Sequence, residues 1–297
     1  MKRLVTAALA AAMVLSMTAC GGSQGESQTE APADSQAASE TEAQAQESDA
    51  AEGTVVITGS TSVEKIVNEM KSEFEALNPG ITIQYTGNGS SAGIKDTIAG
   101  SNNIGASSRE LTEEEKAEGL TETQFAYDGI AIAVNPANEV QDVTLEQLQK
   151  IYSGEITNWK ELGGKDAEIY VVSREESSGT RSAFEELIKL EETDGLTSNA
   201  AVSEGNGPVQ IAVAGNENAI GYVSFAYIDD TVKQLTVDGV EGTVENVKNN
   251  TYALSRPFLF VSKDDTIGEA GKKFLEFAVS ADGQACVEKD NAIRIDQ

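Results

Sequence analysis

The sequence predicts an α/β fold with largely parallel sheets, and two observations support this prediction. From residue 54 onward, strand-like and helix-like stretches alternate along the chain, a rhythm typical of parallel strands joined through helices. The stretch "GIAIAV" (129–134) is almost continuously apolar, as expected for a strand covered on both faces. Together these patterns favour sheets flanked by helices.

The individual elements follow from the spacing of apolar residues. Short β-branched runs indicate strands, and apolar residues that recur every three or four positions indicate helices. In the first half, the predicted elements are a strand at 54–58, a helix at 63–77, a strand at 81–85, a helix around 94–98 and a short strand at 103–108. They continue with a strand at 129–134, a helix at 144–152, a strand at 168–173, a helix from 180 to about 190, further elements of the alternation at 207–215 and 219–228, a strand at 257–262 and a helix at 268–280.

The first 20 residues have the pattern of an export signal. Lys2 and Arg3 precede the apolar run "LVTAALAAAMVL", and small residues surround Ala19, as at the cleavage point of a signal peptide. The segment resembles a bacterial lipoprotein signal, so we expect residues 1–19 to be removed and Cys20 to be lipidated. An ordinary secretory signal with an incidental cysteine is the alternative.

Residues 20–53 are predicted to form the lipidated cysteine and a disordered acidic tether. Positions 21–53 contain only Gly, Ser, Gln, Glu, Thr, Ala, Pro and Asp. A segment without aromatic or branched apolar residues cannot bury enough surface to fold. We therefore expect a flexible connection between a membrane anchor and a folded domain that begins at residue 54.

The charge of the chain limits its partners. The formal net charge is −28; the basic start contributes +2 and residues 21–53 contribute −8, so residues 54–297 carry −22. Phosphate backbones require basic patches, which excludes a nucleic-acid-binding protein. A small buried anion is still compatible, because a buried site is governed by the groups within a few ångströms.

The residue types that are missing exclude several kinds of chemistry. The chain has no histidine, which excludes a Ser-His-Asp triad and the commonest zinc sites. With Cys20 lipidated, Cys286 has no partner for a disulfide and is expected to be a small buried hydrophobe. The glutamates of "LTEEEKAEG" are expected to form a solvated helix face, and we expect neither a metal nor a cofactor.

Three strand-to-helix turns share one composition. They are "TGSTSV" (58–63), "TGNGSSAGI" (86–94) and "SREESSGTR" (173–181). In α/β sheets such turns lie at the carboxyl ends of strands, where ligands bind. A single Ser or Thr there is usually a helix N-cap, but three such turns with paired hydroxyls, glycines and a flanking arginine predict an anion site.

The positive charges that helix N-termini and an arginine supply are large enough for such a site to exist in an acidic protein. Each helix N-terminus behaves as about half a positive charge, so three contribute about +1.5. One guanidinium adds a full charge and a bidentate pair of donors. These groups roughly balance a divalent oxyanion. The sequence has no GxxxxGK[ST] motif, so a nucleotide ligand is not expected.

Several motifs, taken in order, identify a family. The motifs "GSTSV", "GNGSSAGIKDTIAGSNNIGASSREL", "DGIAIAVNP", "LQKIYSGEITNW", "SREESSGTR" and "AIGYVSFAYID" closely resemble those of the phosphate-binding lipoproteins of bacterial high-affinity phosphate ABC transporters. The resemblance implies a two-lobed, type II periplasmic-binding-protein fold with the anion in the cleft between lobes. Each lobe would be a mixed, mostly parallel sheet, with lobe I formed by 54–130 and 255–297 and lobe II by 131–254.

The resemblance also implies the ligand-binding residues. The first two turns contribute hydroxyls, and the third contributes an arginine, a helix start and an acidic residue, Glu176, which orients the arginine. The implied phosphate ligands are Thr61, Ser62, Ser90, Arg174, Ser178, Gly179 and Thr180. For Arg174, a surface ion pair with Glu175 or Glu176 is the alternative.

One position departs from the family pattern. Better-known members have an aspartate after "GAS", and the resemblance assigns to it the proton of hydrogen phosphate and the rejection of sulfate. This chain has Ser108 there, followed by Arg109. We expect Asp128 either to replace that proton acceptor or to be a turn residue. Arg109 is expected to contact the ligand or to form a salt bridge between lobes.

The function implied is extracytoplasmic capture of inorganic phosphate and its delivery to the permease subunits of an ABC transporter. The protein is expected to be a monomer held at the cell membrane through the lipid on Cys20, and not an enzyme. The alternatives are a binding protein for another oxyanion such as sulfate, or a secreted phosphoester hydrolase. Against the hydrolase stand the missing histidine and the lack of a recognisable two-metal ligand set.

Overall fold

The computed structural model describes residues 52–296. The predicted signal peptide, the lipidation at Cys20 and nearly all of the tether therefore lie outside the described residues. Within residues 52–296, none of the helices combines the length and apolar character needed to span a membrane.

The described chain contains eleven strands that alternate with helices, as the sequence predicts. The strands are β1 (Gly53–Gly59), β2 (Ile81–Gly87), β3 (Ile104–Ser107), β4 (Thr121–Val134), β5 (Asp142–Val143), β6 (Tyr170–Arg174), β7 (Ala201–Ser203), β8 (Ala219–Ser224), β9 (Lys233–Val237), β10 (Ser255–Ser262) and β11 (Ile293–Arg294).

The α-helices of the described chain begin after most of these strands. They are α1 (Glu64–Leu77), α2 (Ser90–Ile98), α3 (Glu113–Ala117), α4 (Leu145–Ser153), α5 (Gly179–Leu187), α6 (Asn206–Ala214), α7 (Val244–Lys248), α8 (Gly268–Val279) and α9 (Ala281–Lys289). Short 3₁₀ turns add Trp159–Leu162, Leu190–Glu192 and Phe225–Tyr227.

The strands form a mixed sheet in the order β2-β1-β3-β10-β4-β8-β6-β7. Strand β1 is parallel to β2 and β3, β6 is parallel to β7 and β8, and β5 is parallel to β9. By contrast, β10 is antiparallel to β3 and β4, and β4 is also antiparallel to β8, β9 and β11. Antiparallel pairing is thus more extensive than the sequence pattern predicts, because β4 and β10 both oppose their neighbours.

Two large hydrophobic cores lie on either side of the middle of this sheet. The first, which we call the terminal core, takes residues from Val55 to Ala126 and from Phe258 to Ala292. The second, the central core, takes residues from Ile130 to Leu254 together with Ile293. Cys286 is buried in the terminal core, which confirms its predicted packing role, and Trp159 is buried in the central core.

Strands β4 and β10 connect the two cores. Residues 121–129 of β4 pair with β10, whereas residues 130–134 pair with β8 and β9. The sequence predicts only the second part of β4, since "TETQFAYD" (121–128) is too polar to indicate a strand. The polar part includes Asp128, whose register partner on β10 is Arg256.

Candidate anion-binding site

The three turns predicted from the sequence converge at the carboxyl ends of β1 and β6 and the start of α2. There, six buried or half-buried hydroxyl side chains approach one another, and we call this group the hydroxyl cluster. Its members are Ser60, Thr61, Ser62, Ser90, Ser108 and Thr180.

Hydrogen bonds join the hydroxyls of the cluster to one another, and one of these bonds links elements that pack on different cores. The hydroxyl of Ser60 donates to Ser108 Oγ at 2.8 Å, and Ser90 Oγ lies 3.3 Å from Ser108 Oγ. Ser62 Oγ lies 2.8 Å from Thr180 Oγ1. The Ser62–Thr180 bond joins the start of α1 to the start of α5, two helices that pack on different cores.

A glycine is required where α5 meets α2. A Cβ atom on Gly179 would lie 2.2 Å from Ser90 Oγ and 2.9 Å from Ser108 Oγ, closer than real Cβ atoms approach other heavy atoms. Only glycine lets the backbone of the α5 N-terminus come so near to these hydroxyls. The predicted Ser178 is the N-cap of the same helix, and its Oγ accepts from the Arg181 amide at 3.1 Å.

Arg174 ends β6 beside the cluster and is 1% exposed. Its Nε and Nη2 atoms donate to the two carboxylate oxygens of Glu175 at 2.8 and 2.7 Å. Nη2 also donates to Thr61 Oγ1 at 3.1 Å. Nη1 is buried and has no hydrogen-bond partner among residues 52–296.

The carboxylate that orients Arg174 is Glu175, and the prediction of Glu176 is wrong. Burial acts to raise the pKa of Glu175, but the hydrogen bonds and charge of Arg174 outweigh it, and the pKa is lowered. Glu175 also accepts from the Gly205 amide at 3.2 Å, which joins it to the start of α6. The turn geometry therefore selects the residue directly after the arginine.

A second buried guanidinium, which sequence reasoning missed, belongs to Arg256 on β10. It is 3% exposed, and its Nε and Nη2 atoms donate to Asp128 Oδ2 at 3.2 and 2.8 Å. Nη2 also donates to Ser62 Oγ at 3.1 Å, and Nη1 has no partner within the described chain. Arg256 therefore repeats the arrangement of Arg174 on the neighbouring hydroxyl.

The predicted direct contact of Asp128 with the anion site is not what the structure shows. Its Oδ2 binds Arg256, and its Oδ1 accepts from Ser224 Oγ at 2.9 Å. Burial raises the pKa of Asp128, and the charge and hydrogen bonds of Arg256 oppose this. Among the described residues, Asp128 is therefore linked to the hydroxyl cluster through Arg256.

Asn206, the first residue of α6, is a second residue that the sequence analysis missed. Its Nδ2 donates to Thr61 Oγ1 at 3.0 Å and to Ser62 Oγ at 3.1 Å, and its Oδ1 accepts from the Ser224 amide at 3.0 Å. The motif "EGNGP" has the same composition as the predicted turns, and that similarity was the available signal.

These contacts fix the direction of the hydroxyl hydrogens. A hydroxyl oxygen can accept two hydrogen bonds and donate one. Thr61 Oγ1 accepts from Arg174 and Asn206, and Ser62 Oγ accepts from Asn206 and Arg256. Thr61 is therefore left to donate, and Ser62 donates to Thr180 Oγ1, which leaves the Thr180 hydroxyl to donate in turn. This part of the cluster offers hydrogen-bond donors and suits an anion.

Four helix N-termini surround the cluster. Helices α1, α2, α5 and α6 begin at Glu64, Ser90, Gly179 and Asn206, and each helix start carries unpaired N–H groups and about half a positive charge. The carboxylates Glu175 and Asp128 offset the charges of the two arginines. The positive potential of the site therefore comes largely from the helices.

Arg109 forms its hydrogen bonds outside the hydroxyl cluster, and the predicted salt bridge between lobes is wrong, because its partner Glu115 also belongs to predicted lobe I. Its Nη1 and Nη2 atoms both donate to Glu115 at 2.8 Å, within the part of the chain that forms the terminal core. Nη1 also donates to the Glu110 carbonyl, and Nη2 donates to Ser91 Oγ. Arg109 is thus held in a local ion pair.

Comparison with known proteins identifies the family. A model described as a PBP superfamily domain matches residues 42–282. The phosphate-binding protein PstS of Bacillus subtilis (strain 168) is 34% identical over 293 residues, which cover 97% of this chain and 92% of that protein. The chain belongs to the phosphate-binding protein family of the PBP superfamily.

Two solved structures of family members match the fold. One is the X-ray structure of a phosphate ABC transporter substrate-binding protein from Clostridium perfringens with bound phosphate. Its sequence is 49% identical and its TM-score is 0.79, and the match covers 82% of this chain and 100% of that chain. The other is an ABC-type phosphate transport receptor from Vibrio cholerae, 38% identical with a TM-score of 0.69 over 80% of this chain and 99% of that one. The predicted type II periplasmic-binding-protein fold is confirmed.

Proposed function

We propose that this protein captures inorganic phosphate outside the cytoplasm and delivers it to the permease of an ABC transporter. The observation that carries the proposal is the buried Nη1 of Arg174, which lies beside a cluster of donating hydroxyls and has no hydrogen-bond partner among residues 52–296. A buried charged donor without an acceptor is costly, and a phosphate oxygen would supply the acceptor. The names of the relatives support the same ligand.

Binding without catalysis fits the residues of the site. The chain has no histidine, and residues 52–296 contain no group of three or more His, Cys, Asp or Glu side chains that could hold a metal ion. The two carboxylates next to the cluster are occupied by arginines, so neither is available as a general base for a serine. The protein is therefore proposed to be a carrier and not a hydrolase.

We infer that the two hydrophobic cores correspond to two lobes that close on the anion. The division of core residues supports the boundaries 54–130, 131–254 and 255–297, which misplace Ile130 and Ile293 among the described core residues, because these two pack in the central core. The hydroxyl cluster joins both parts, because Ser62 and Thr180 bond across them. In this proposal, ligand shifts the population toward the closed form.

Localisation forms a further part of the proposal. The signal-like start and the tether support export, and Cys20 supports attachment to the membrane through a lipid. A tether of this composition lets an anchored domain reach a neighbouring permease. We propose that the protein acts as a monomer.

The role of Arg174 predicts a large effect on affinity. Arg174→Ala removes a charge-assisted contact from a desolvated site, which costs about 2–5 kcal/mol and weakens phosphate binding about 30-fold to several-thousand-fold. Titration calorimetry on residues 54–297 measures this change.

Arg181→Ala is the matched control, because Arg181 belongs to the same turn but binds Glu185 and the Arg174 carbonyl. A partly exposed ion pair of this kind, which does not contact the hydroxyl cluster, contributes little to binding, so the affinity should change by less than about fivefold. Equal losses in the two variants would contradict the proposed role of Arg174.

The hydroxyl of Ser108 leads to a prediction about how the site distinguishes phosphate from sulfate. Hydrogen phosphate carries a proton that sulfate lacks, and a hydroxyl can accept from the former or rotate to donate to the latter. Within the described residues, no carboxylate hydrogen-bonds to a hydroxyl of the cluster. We therefore expect sulfate to compete measurably with phosphate for the wild-type protein.

Ser108→Asp should increase the preference for phosphate. A carboxylate accepts the phosphate proton but opposes a fully ionised anion, and such a mismatch costs about 1–3 kcal/mol, or about 5- to 150-fold in the ratio of dissociation constants. Ser101→Asp, at an exposed position, adds the same charge away from the cluster. Competition calorimetry that finds equal ratios in the two variants would refute this explanation.

The proposed anchor predicts a change of location only. Cys20→Ala should leave phosphate binding by residues 54–297 unchanged and move the protein from the membrane fraction into the medium, because the acceptor of the lipid is gone. Fractionation followed by immunoblotting measures the distribution. Retention of the variant at the membrane would show that Cys20 is not the anchor.

A further inference from the structure

We propose that Arg256 is a second direct ligand of the anion, so that phosphate lies between two guanidinium groups. This inference rests on the proposed function and extends it. It assigns a binding role to a residue of β10, a strand that connects the two cores.

The hydrogen bonds of Arg256 show which edge of the guanidinium faces the site. A guanidinium has one edge with Nε and Nη2 and another with Nη2 and Nη1. The first edge binds Asp128 through Nε and Nη2. The remaining hydrogen of Nη2 is directed to Ser62 Oγ at 3.1 Å, so the edge that also carries Nη1 faces the hydroxyl cluster.

Arg174 has the same geometry on the adjacent hydroxyl. Its Nε and Nη2 edge binds Glu175, its Nη2 donates to Thr61, and its Nη1 lacks a partner among the described residues. Because Thr61 and Ser62 are consecutive, the edges that carry the two unpartnered Nη1 atoms both meet one turn, the start of α1. Two edges of this kind suit the oxygens of one tetrahedral anion.

The electrostatics of Arg256 also indicate an anion. Burial lowers the pKa of its guanidinium, Asp128 raises it, and the like charge of Arg174 lowers it further. The two cations are thus close enough to repel each other in a buried site. An anion between them would turn this repulsion into attraction for both.

The Asp128–Arg256 ion pair lies on β4 and β10, the two strands that connect the cores. Asp128 and Arg256 are register partners on β4 and β10, and Asp128 also holds Ser224 at the end of β8. An anion bound to Arg256 would therefore be linked directly to the strands that connect the two cores.

The test must separate ligand contact from the support of Asp128. Arg256→Met alone leaves a buried carboxylate unpaired and is expected to destabilise the fold. We therefore compare Asp128→Asn with the double variant Asp128→Asn/Arg256→Met, measuring phosphate affinity by calorimetry and stability by thermal unfolding without phosphate. Replacing both members of a buried pair is often tolerated.

If Arg256 contacts the anion, the double variant should bind phosphate about 10- to 150-fold more weakly than Asp128→Asn, the loss expected for a charged hydrogen bond. If Arg256 only neutralises Asp128, its removal from the Asp128→Asn variant should leave affinity unchanged, and the inference fails. The matched control is Glu115→Gln/Arg109→Met against Glu115→Gln, a less buried arginine–carboxylate pair, for which we expect equal affinities.

The outcomes also distinguish this inference from the proposed function. A wild-type protein that does not bind phosphate would overturn both. Wild-type binding that is lost in Arg174→Ala, together with equal affinities of Asp128→Asn and the double variant, would overturn the role of Arg256 alone.

Discussion

A buried guanidinium requires a carboxylate to neutralise it, and this requirement organises the centre of the molecule. Arg174 and Arg256 each bind a carboxylate through one edge, Glu175 and Asp128 respectively. Each then presents its other edge to a hydroxyl of the turn after β1. The carboxylates hold the cations in fixed orientations, so that the donors do not need to reorganise when an anion binds.

The same arrangement explains how a chain of net charge −28 can hold an anion. Screening removes most of the effect of exposed carboxylates beyond roughly 8–10 Å at physiological salt. Inside the site, two neutral ion pairs, four helix N-termini and donating hydroxyls determine the potential. The acidic surface and the local attraction for an anion therefore act over different distances and do not conflict.

The sequence predicts the alternation of elements and the three hydroxyl turns, because both depend on local patterns of a few residues. It misses Arg256, since the contact with Ser62 spans 194 positions and an arginine next to a proline carries no local signal. The error between Glu175 and Glu176 has a similar cause. Adjacent residues of a turn point in different directions, and only the three-dimensional path of the chain decides which one meets Arg174.

The polar part of β4 shows the same limit at the level of the fold. Residues 121–128 pair with β10, but the strand pattern is interrupted by the charged Asp128, whose presence in a buried strand makes sense only beside Arg256. The rule that buried strand positions are apolar thus fails at Asp128, where the ion pair with Arg256 offsets the cost of burying the charge. Positions where such local rules fail tend to be functional.

A crystal structure of residues 54–297 with phosphate would show directly whether one anion contacts both Arg174 and Arg256. We expect one phosphate ion with separate oxygens within about 3.2 Å of Arg174 Nη1 and Arg256 Nη1, while Glu175 and Asp128 keep their present partners. A phosphate bound elsewhere, or bound at the cluster with Arg256 Nη1 still unpaired, would contradict it.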